Sequence, residues 1–222
     1  MKKQDSKQQL FEHFAQVAKA LGHAHKLEML EILAQGERSV ESLANEAGLS
    51  FANTSRHLQQ LRRAGLVASR KEGLYVFYGL AGDDVIDLLR SLRRTGERKI
   101  NEISEVVVGY FHDRDSLEAV SRVELLKRSR EGLVTVIDVR PSEEYDIGHI
   151  PGAFNVPLAE IEHWFEDSPN DKEIVAYCRG EYCVLAYEAV AALREKGFRA
   201  RRLEEGFPEW KVAGLPVERT AL

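Results

Sequence analysis

Four glycines, Gly22, Gly36, Gly48 and Gly65, cut the first third of the chain into short segments, each with apolar residues at helical spacing. Leu10, Phe14, Val17 and Leu21 fall on one face, and Leu27, Leu30 and Leu33 on a second. Val40, Leu43 and Ala47 form a third, and Phe51, Thr54, Leu58 and Leu61 a fourth. Ser39 and Ser50 stand where helix N-caps belong, and the short connection from Ala47 to Ser50 suits a helix-turn-helix. The period then changes. LVASR and LYVFYGL are β-prone runs on either side of Lys71-Glu72-Gly73, which predicts a hairpin or wing. A long helix is expected from about Asp83 to Tyr110, with Val85, Leu89, Leu92, Ile100, Ile103 and Val107 on one stripe and Gly96 as a candidate kink. Such a stripe exceeds what a small domain needs to cover its own core, so pairing with a second copy is expected.

The polar run HDRDS, residues 112–116, reads as a linker between a domain over 1–111 and another over 117–222. Beyond it a helix near Arg122–Arg130 leads to the apolar strand LVTVIDV. A second strand, EIVAY, precedes a helix from Val184 to Lys196. The expected fold class is an α+β winged helix-turn-helix domain followed by an α/β domain with a mostly parallel sheet. Charge follows the same division: residues 1–95 hold 14 Lys and Arg against 11 Asp and Glu, whereas residues 96–222 hold 17 against 25. A basic half joined to an acidic half suits contact with nucleic acid through one half only. No run approaches about 18 consecutive apolar residues, and no apolar core follows the basic start, so a cytoplasmic protein without membrane contact is expected.

With Phe51, Thr54, Leu58 and Leu61 turned inward, the fourth helix presents Asn53, Arg56, Gln60 and Arg63 outward, with Ser55 at the margin. Amide and guanidinium groups on one helix supply both base-edge and phosphate contacts. Arg70 and Lys71 on the wing are candidate phosphate contacts. The stretch LANEAGLSFANTSRHLQQLRRAGLVASRKEGLYVFYGL resembles the ArsR/SmtB winged-helix repressors over roughly residues 10–95. That resemblance implies a homodimer built on the first and last helices and bound to double-stranded operator DNA. It does not extend to metal sensing. The segment Val40–Ala47 has no cysteine, and the long helix has no histidine before His112. His23, His25 and His57 are read as surface or packing residues, and neither a metal nor a cofactor is expected.

Both cysteines of the chain, Cys178 and Cys183, lie in CRGEYC, directly after the strand EIVAY. A strand that ends in a cysteine and turns into a helix forms an anion cradle. Loop N–H groups and the helix dipole converge there and depress the thiol pKa. In a reducing compartment a standing structural disulfide is not expected. The segments VIDVRPSEEYDIGHIPGAFNVP, YCRGEYC and LEEGFPEWKVAGLPV resemble single rhodanese domains over roughly residues 117–219. By that resemblance Cys178 is the sulfur acceptor, and Arg179, Gly180, Glu181, Tyr182 and Cys183 supply the cradle. Asp138, Arg140, Glu144, His149 and Trp210 are scaffold. The loop departs from the family in two ways. Glu181 opposes the single Arg179, which disfavours a dianion such as thiosulfate, and Cys183 is placed to resolve a persulfide on Cys178. A related phosphatase loop needs an arginine where Val184 stands.

Three functions fit these residues. The first is a transcription regulator that accepts, transfers or senses sulfane sulfur from a small donor or acceptor. The second is a sulfurtransferase whose winged helix recruits or dimerises it. The third is a repressor that responds to arsenite or another thiophile.

Overall fold

In the computed structural model, which describes residues 3–107, 109, 119–161, 163–164 and 172–220, each glycine-bounded segment is a helix. These are α1 (Lys3–Leu21), α2 (Ala24–Ala34), α3 (Val40–Glu46) and α4 (Phe51–Arg63). The Ser39 hydroxyl accepts from the Ser42 amide at 3.1 Å, and the Ser50 hydroxyl from the Asn53 amide at 3.3 Å. Each cap satisfies a donor that the helix itself leaves unpaired, typically worth about 1 kcal/mol. After α3 and α4 the chain reverses through Gly48 and Gly65, at φ 62° and 74°, a region costly for any residue with a Cβ.

The hairpin is β2 (Val67–Glu72) and β3 (Tyr75–Leu80), turning through Gly73. A two-residue strand not foreseen from the sequence, β1 (Arg38–Ser39), pairs antiparallel with β3 to give the order β1-β3-β2. Met29, Leu30, Leu43, Leu58 and Leu61 are fully buried beneath it. One expectation for α4 is corrected. Phe51 is 56% exposed, and His57, 6% exposed, joins Thr54, Leu58 and Leu61 on the inner face. Position 51 belongs to the first turn, ahead of the point where the inner stripe meets the core.

The long helix is also shorter than expected. It stops as α5 (Asp84–Lys99), and α6 (Asn101–Val106) starts after Ile100, whose backbone is extended. The break is at Ile100, not at Gly96. Gly96 instead permits it, because a Cβ there would meet Ile103 Cδ1 at 3.0 Å. The Ser104 hydroxyl donates to the Glu97 carbonyl at 2.8 Å across the break. The far end at Tyr110, His112 and the expected linker 112–116 lie outside the described residues.

The chain divides into two compact units, Met1–Arg90 and Ser91–Leu222. In the second, α7 (Arg122–Arg130) precedes β4 (Val134–Asp138), α8 (Ser142–Ile147), β5 (Phe154–Asn155) and a 3-10 turn at Leu158–Glu160. Then come β6 (Glu173–Tyr177), α9 (Val184–Glu195), β7 (Ala200–Arg202) and α10 (Phe207–Val212). The four strands are all parallel, in the order β5-β4-β6-β7. Alternate residues of β6 enter different cores: Ile174 and Ala176 pack with α9, whereas Val175 and Tyr177 pack with Leu125, Phe207 and Trp210. A parallel strand buried on both faces explains the unbroken apolar run IVAY. Among the described residues no helix is long and apolar enough to cross a membrane.

Candidate functional site

The core strand β6 delivers Cys178 to the carboxyl edge of the sheet, the edge at which open α/β sheets place their ligands. Cys178 is 2% exposed and packs on the face shared with α9; Cys183, half-buried, is the N-cap of that helix. The two are joined as a disulfide, with Cα atoms 6.1 Å apart. This corrects the expectation that no disulfide would stand. A turn in which the Cys183 amide donates to the Gly180 carbonyl at 3.1 Å brings the α-carbons within the roughly 4.4–6.8 Å that a disulfide spans.

The loop is held from outside by α10. The Phe207 amide donates to the Cys178 carbonyl at 3.0 Å. Gly206 lies so close that a Cβ on it would fall 2.3 Å from the Gly180 nitrogen and 2.4 Å from the Arg179 carbonyl carbon. Both interactions rest on the segment GFPEW, whose glycine the sequence reading passed over.

Arg179 was expected to offer its charge to an anion. Its guanidinium is instead gripped by Glu144, with Nε 3.0 and 3.1 Å from the two carboxylate oxygens and Nη2 2.6 Å from Oε1. Glu144 is 1% exposed, so its buried carboxylate is matched by a positive charge taken from the loop. Glu144 was assigned to scaffold; spacing along the chain gives no sign that α8 and the cysteine loop meet. Glu181 remains exposed at its surface, yet partial burial, with Glu97 and Glu204 adding to it, raises its carboxyl pKa against the opposing pull of Arg202. Tyr182 donates its hydroxyl to Glu97, and burial with that bond raises the phenol pKa. Arg179 is thus committed to Glu144, and the charges acting on Glu181 are mixed, Glu97 and Glu204 against Arg202 and Arg93.

The other residues assigned to scaffold are buried and partnered. Arg140 and Asp138 form a wholly buried pair, Nη2 to Oδ2 at 2.6 Å, and Arg140 also donates to the Gly148 carbonyl at 2.8 Å. His149 stacks on Tyr145 with ring centroids 3.7 Å apart, and the Trp210 indole donates to the Pro216 carbonyl at 2.8 Å.

In the first unit, Asn53 and Arg56 are exposed on α4 and joined, Arg56 Nη2 donating to Asn53 Oδ1 at 3.2 Å. Ser55 is half-buried beside them, and Gln60 and Arg63 are exposed. On the wing Lys71 is exposed, but Arg70 already pairs with Glu37, Nε to Oε2 at 2.5 Å, and with Glu72. Its guanidinium also lies over the Phe77 ring, 4.8 Å from the centroid. On the inner face His57 packs against His23, ring centroids 4.7 Å apart, with its Nδ1 buried and unpartnered. Among the described residues no group of three His, Cys, Asp or Glu side chains is arranged to hold a metal ion.

Two family models match the chain: residues 24–69 fit the bacterial regulatory protein, arsR family, and residues 121–213 fit the rhodanese-like domain. An HTH-type transcriptional regulator of Mycobacterium tuberculosis is 41% identical over 217 residues, covering 98% of this chain and 95% of that protein. A sulfurtransferase of Allochromatium vinosum is 33% identical over 85 residues, 38% of this chain and 78% of that protein. Among solved structures, the homodimeric winged helix-turn-helix DNA-binding domain of a possible ArsR-family regulator from Mycobacterium bovis is 36% identical. It covers 45% of this chain and 93% of that one, with a TM-score of 0.42.

Proposed function

The chain belongs to the ArsR family of helix-turn-helix transcriptional regulators, in a form that carries a rhodanese-like domain. On that premise we propose that it is a cytoplasmic, homodimeric, DNA-binding regulator whose operator affinity is set by sulfane sulfur arriving at Cys178. The carrying observation is the bridge between Cys178, buried at the end of β6, and Cys183 at the start of α9. In the reduced protein the Cys178 thiolate attacks the sulfane sulfur of a polysulfide or persulfide donor. The donor's sulfur–sulfur bond breaks, the donor leaves as a thiolate, and Cys178 carries the persulfide. The Cys183 thiolate then attacks Cys178 Sγ, hydrosulfide leaves with the electron pair, and the disulfide remains. The sulfane sulfur is reduced and the two thiols are oxidised, so the step needs no further oxidant. A cytoplasmic dithiol reductant resets the loop.

Asn53, Ser55 and Arg56 face the major groove in this reading, with Lys71 on phosphate. The test is a fluorescence-anisotropy titration of a selected duplex operator with reduced and polysulfide-treated protein, the Cys178–Cys183 state verified by mass. A coupling of about 1–3 kcal/mol gives a roughly 5–150-fold change in affinity. The change is expected to vanish in Cys178→Ser. Unchanged affinity after verified oxidation of the wild type removes the sensor reading.

The second reading, a sulfurtransferase with the winged helix as its address, is supported by the likeness to the Allochromatium vinosum protein. It requires sustained thiocyanate production from cyanide, dependent on Cys178, with operator affinity unaltered. Arsenite, tested in parallel on the reduced pair, separates a thiophile response from a sulfur response.

A further inference from the structure

Phe51 opens α4 directly after the Ser50 cap and is 56% exposed, on a surface otherwise built for polar contact. The helix has no carboxylate, and its other exposed side chains include Asn53, Arg56, Gln59, Gln60, Arg62 and Arg63. Major-groove helices read base edges mainly through their N-terminal residues, and helical side chains lean toward that end. The phenyl ring therefore stands at the leading tip of the helix, ahead of the hydrogen-bonding amide of Asn53.

A phenyl ring neither donates nor accepts a conventional hydrogen bond. On the major-groove edges of the four base pairs the 5-methyl of thymine is the apolar group that projects, set among donors, acceptors and the flat C–H edge of cytosine. A phenyl pressed against a donor or acceptor leaves that group unpaired, whereas against a methyl it gains burial. The charge of the surrounding face matches duplex DNA as the occupant, and the position of the ring limits which feature of the duplex it meets.

We propose that Phe51 is a specificity-determining residue that reads the 5-methyl group of one thymine in each operator half-site. This rests on the DNA-binding reading above and adds the chemical identity of one base.

The experiment uses the full chain. An operator is first enriched from a randomised duplex pool, and each thymine in it is then replaced singly by deoxyuridine. That replacement removes only the methyl and keeps the base pair and its hydrogen-bonding edge. At one position per half-site the wild type is expected to bind roughly fourfold more weakly, the equivalent of about 0.8 kcal/mol for one buried carbon. Phe51→Ala is expected to bind the thymine operator more weakly and to lose discrimination between thymine and deoxyuridine there. The exposed position makes the substitution compatible with folding, which circular dichroism of the variant checks. Equal wild-type affinity for every deoxyuridine operator overturns the proposal, as does discrimination that persists in Phe51→Ala. A pool that yields no enriched sequence overturns the DNA-binding reading itself, an outcome distinct from enrichment without methyl sensitivity.

Discussion

Replacing Gly206 with alanine tests how tightly the cysteine loop is held. The added Cβ would sit 2.3 Å from the Gly180 nitrogen, 2.4 Å from the Arg179 carbonyl carbon and 2.5 Å from its oxygen. All three are backbone atoms, so no flexible side chain can swing away. Restoring ordinary van der Waals contact needs a separation of about 1 Å between the loop and the start of α10. Overpacking of this kind costs typically 1–3 kcal/mol. The same separation breaks the bond from the Phe207 amide to the Cys178 carbonyl, worth about 1 kcal/mol net. The expected loss is therefore about 2–4 kcal/mol, read as a lower denaturant midpoint for the second unit. A misplacement of this size next to a reacting atom can also cost on the order of 10²-fold in rate. The rate at which pre-reduced protein is converted by polysulfide to the Cys178–Cys183 disulfide, followed by mass, should fall accordingly. Gly22→Ala is the control, since its Cβ meets only the Lys19 carbonyl oxygen, at an ordinary 3.5 Å. If Gly206→Ala matches wild type in both midpoint and rate, the close approach is not what holds the loop.

His57 gives a pH dependence. Burial, followed by His23, Lys26, Arg56 and His25, holds its pKa below the ordinary 6.5. The unfolded chain therefore takes up the proton first as pH falls; stability of the first unit is full above about 6.5 and declines through the lower folded value. Urea midpoints at pH 7.5 and 5.5 should differ more for wild type than for His57→Leu, and parallel profiles would rule out His57 as the cause. Glu37→Gln releases Arg70 from one of its two carboxylates, with both partners about half exposed, so fold stability should barely change. Operator binding should tighten and its logarithmic salt slope steepen by about one; an unchanged slope means that Arg70 does not reach phosphate. Glu181→Lys reverses the charge beside the cysteine loop and should raise thiosulfate-dependent sulfur loading of reduced protein roughly tenfold. No gain in a stopped-time mass assay would show that loop charge does not select the donor.

What the sequence made legible followed from local rules. Capping serines, glycine stops and the 3.6-residue period are properties of contiguous residues, and α2, α3, α4 and α7 came out close to their expected bounds. The alternation of strand and helix, with apolar strands, gave the parallel sheet for the same reason. Apart from the Cys178–Cys183 bridge, five residues apart, the misses depend on contacts that contiguous pattern does not encode. β1 has two residues and exists only because β3 lies beside it. The break at Ile100 depends on Ile103 folding back over Gly96, a contact that an apolar stripe does not encode. Phe51 and His57 each fit an inner or outer position by spacing alone, and the end of the buried stripe decided between them. Glu144 and Arg179 are 35 positions apart and meet across two elements.

That last pair changes the chemistry of the cysteine loop more than any other feature missing from the sequence reading. Taken by composition, CRGEYC is electrically balanced, one arginine against one glutamate. In the fold the arginine is committed to a buried carboxylate outside the loop, with three bonds of 3.1 Å or less. Burial, followed by Glu97 and Glu204, raises the Glu181 carboxyl pKa, with Arg202 and Arg93 opposing. A dianionic donor approaching Cys178 is therefore not offered the uncompensated charge of Arg179. A neutral or singly charged sulfane donor needs that charge less, and in the proposed exchange Cys183 would need no cation, since its attack stays within the loop. We expect thiosulfate to load the reduced protein more slowly than a neutral or singly charged sulfane donor does, and equal rates would remove loop charge from donor choice.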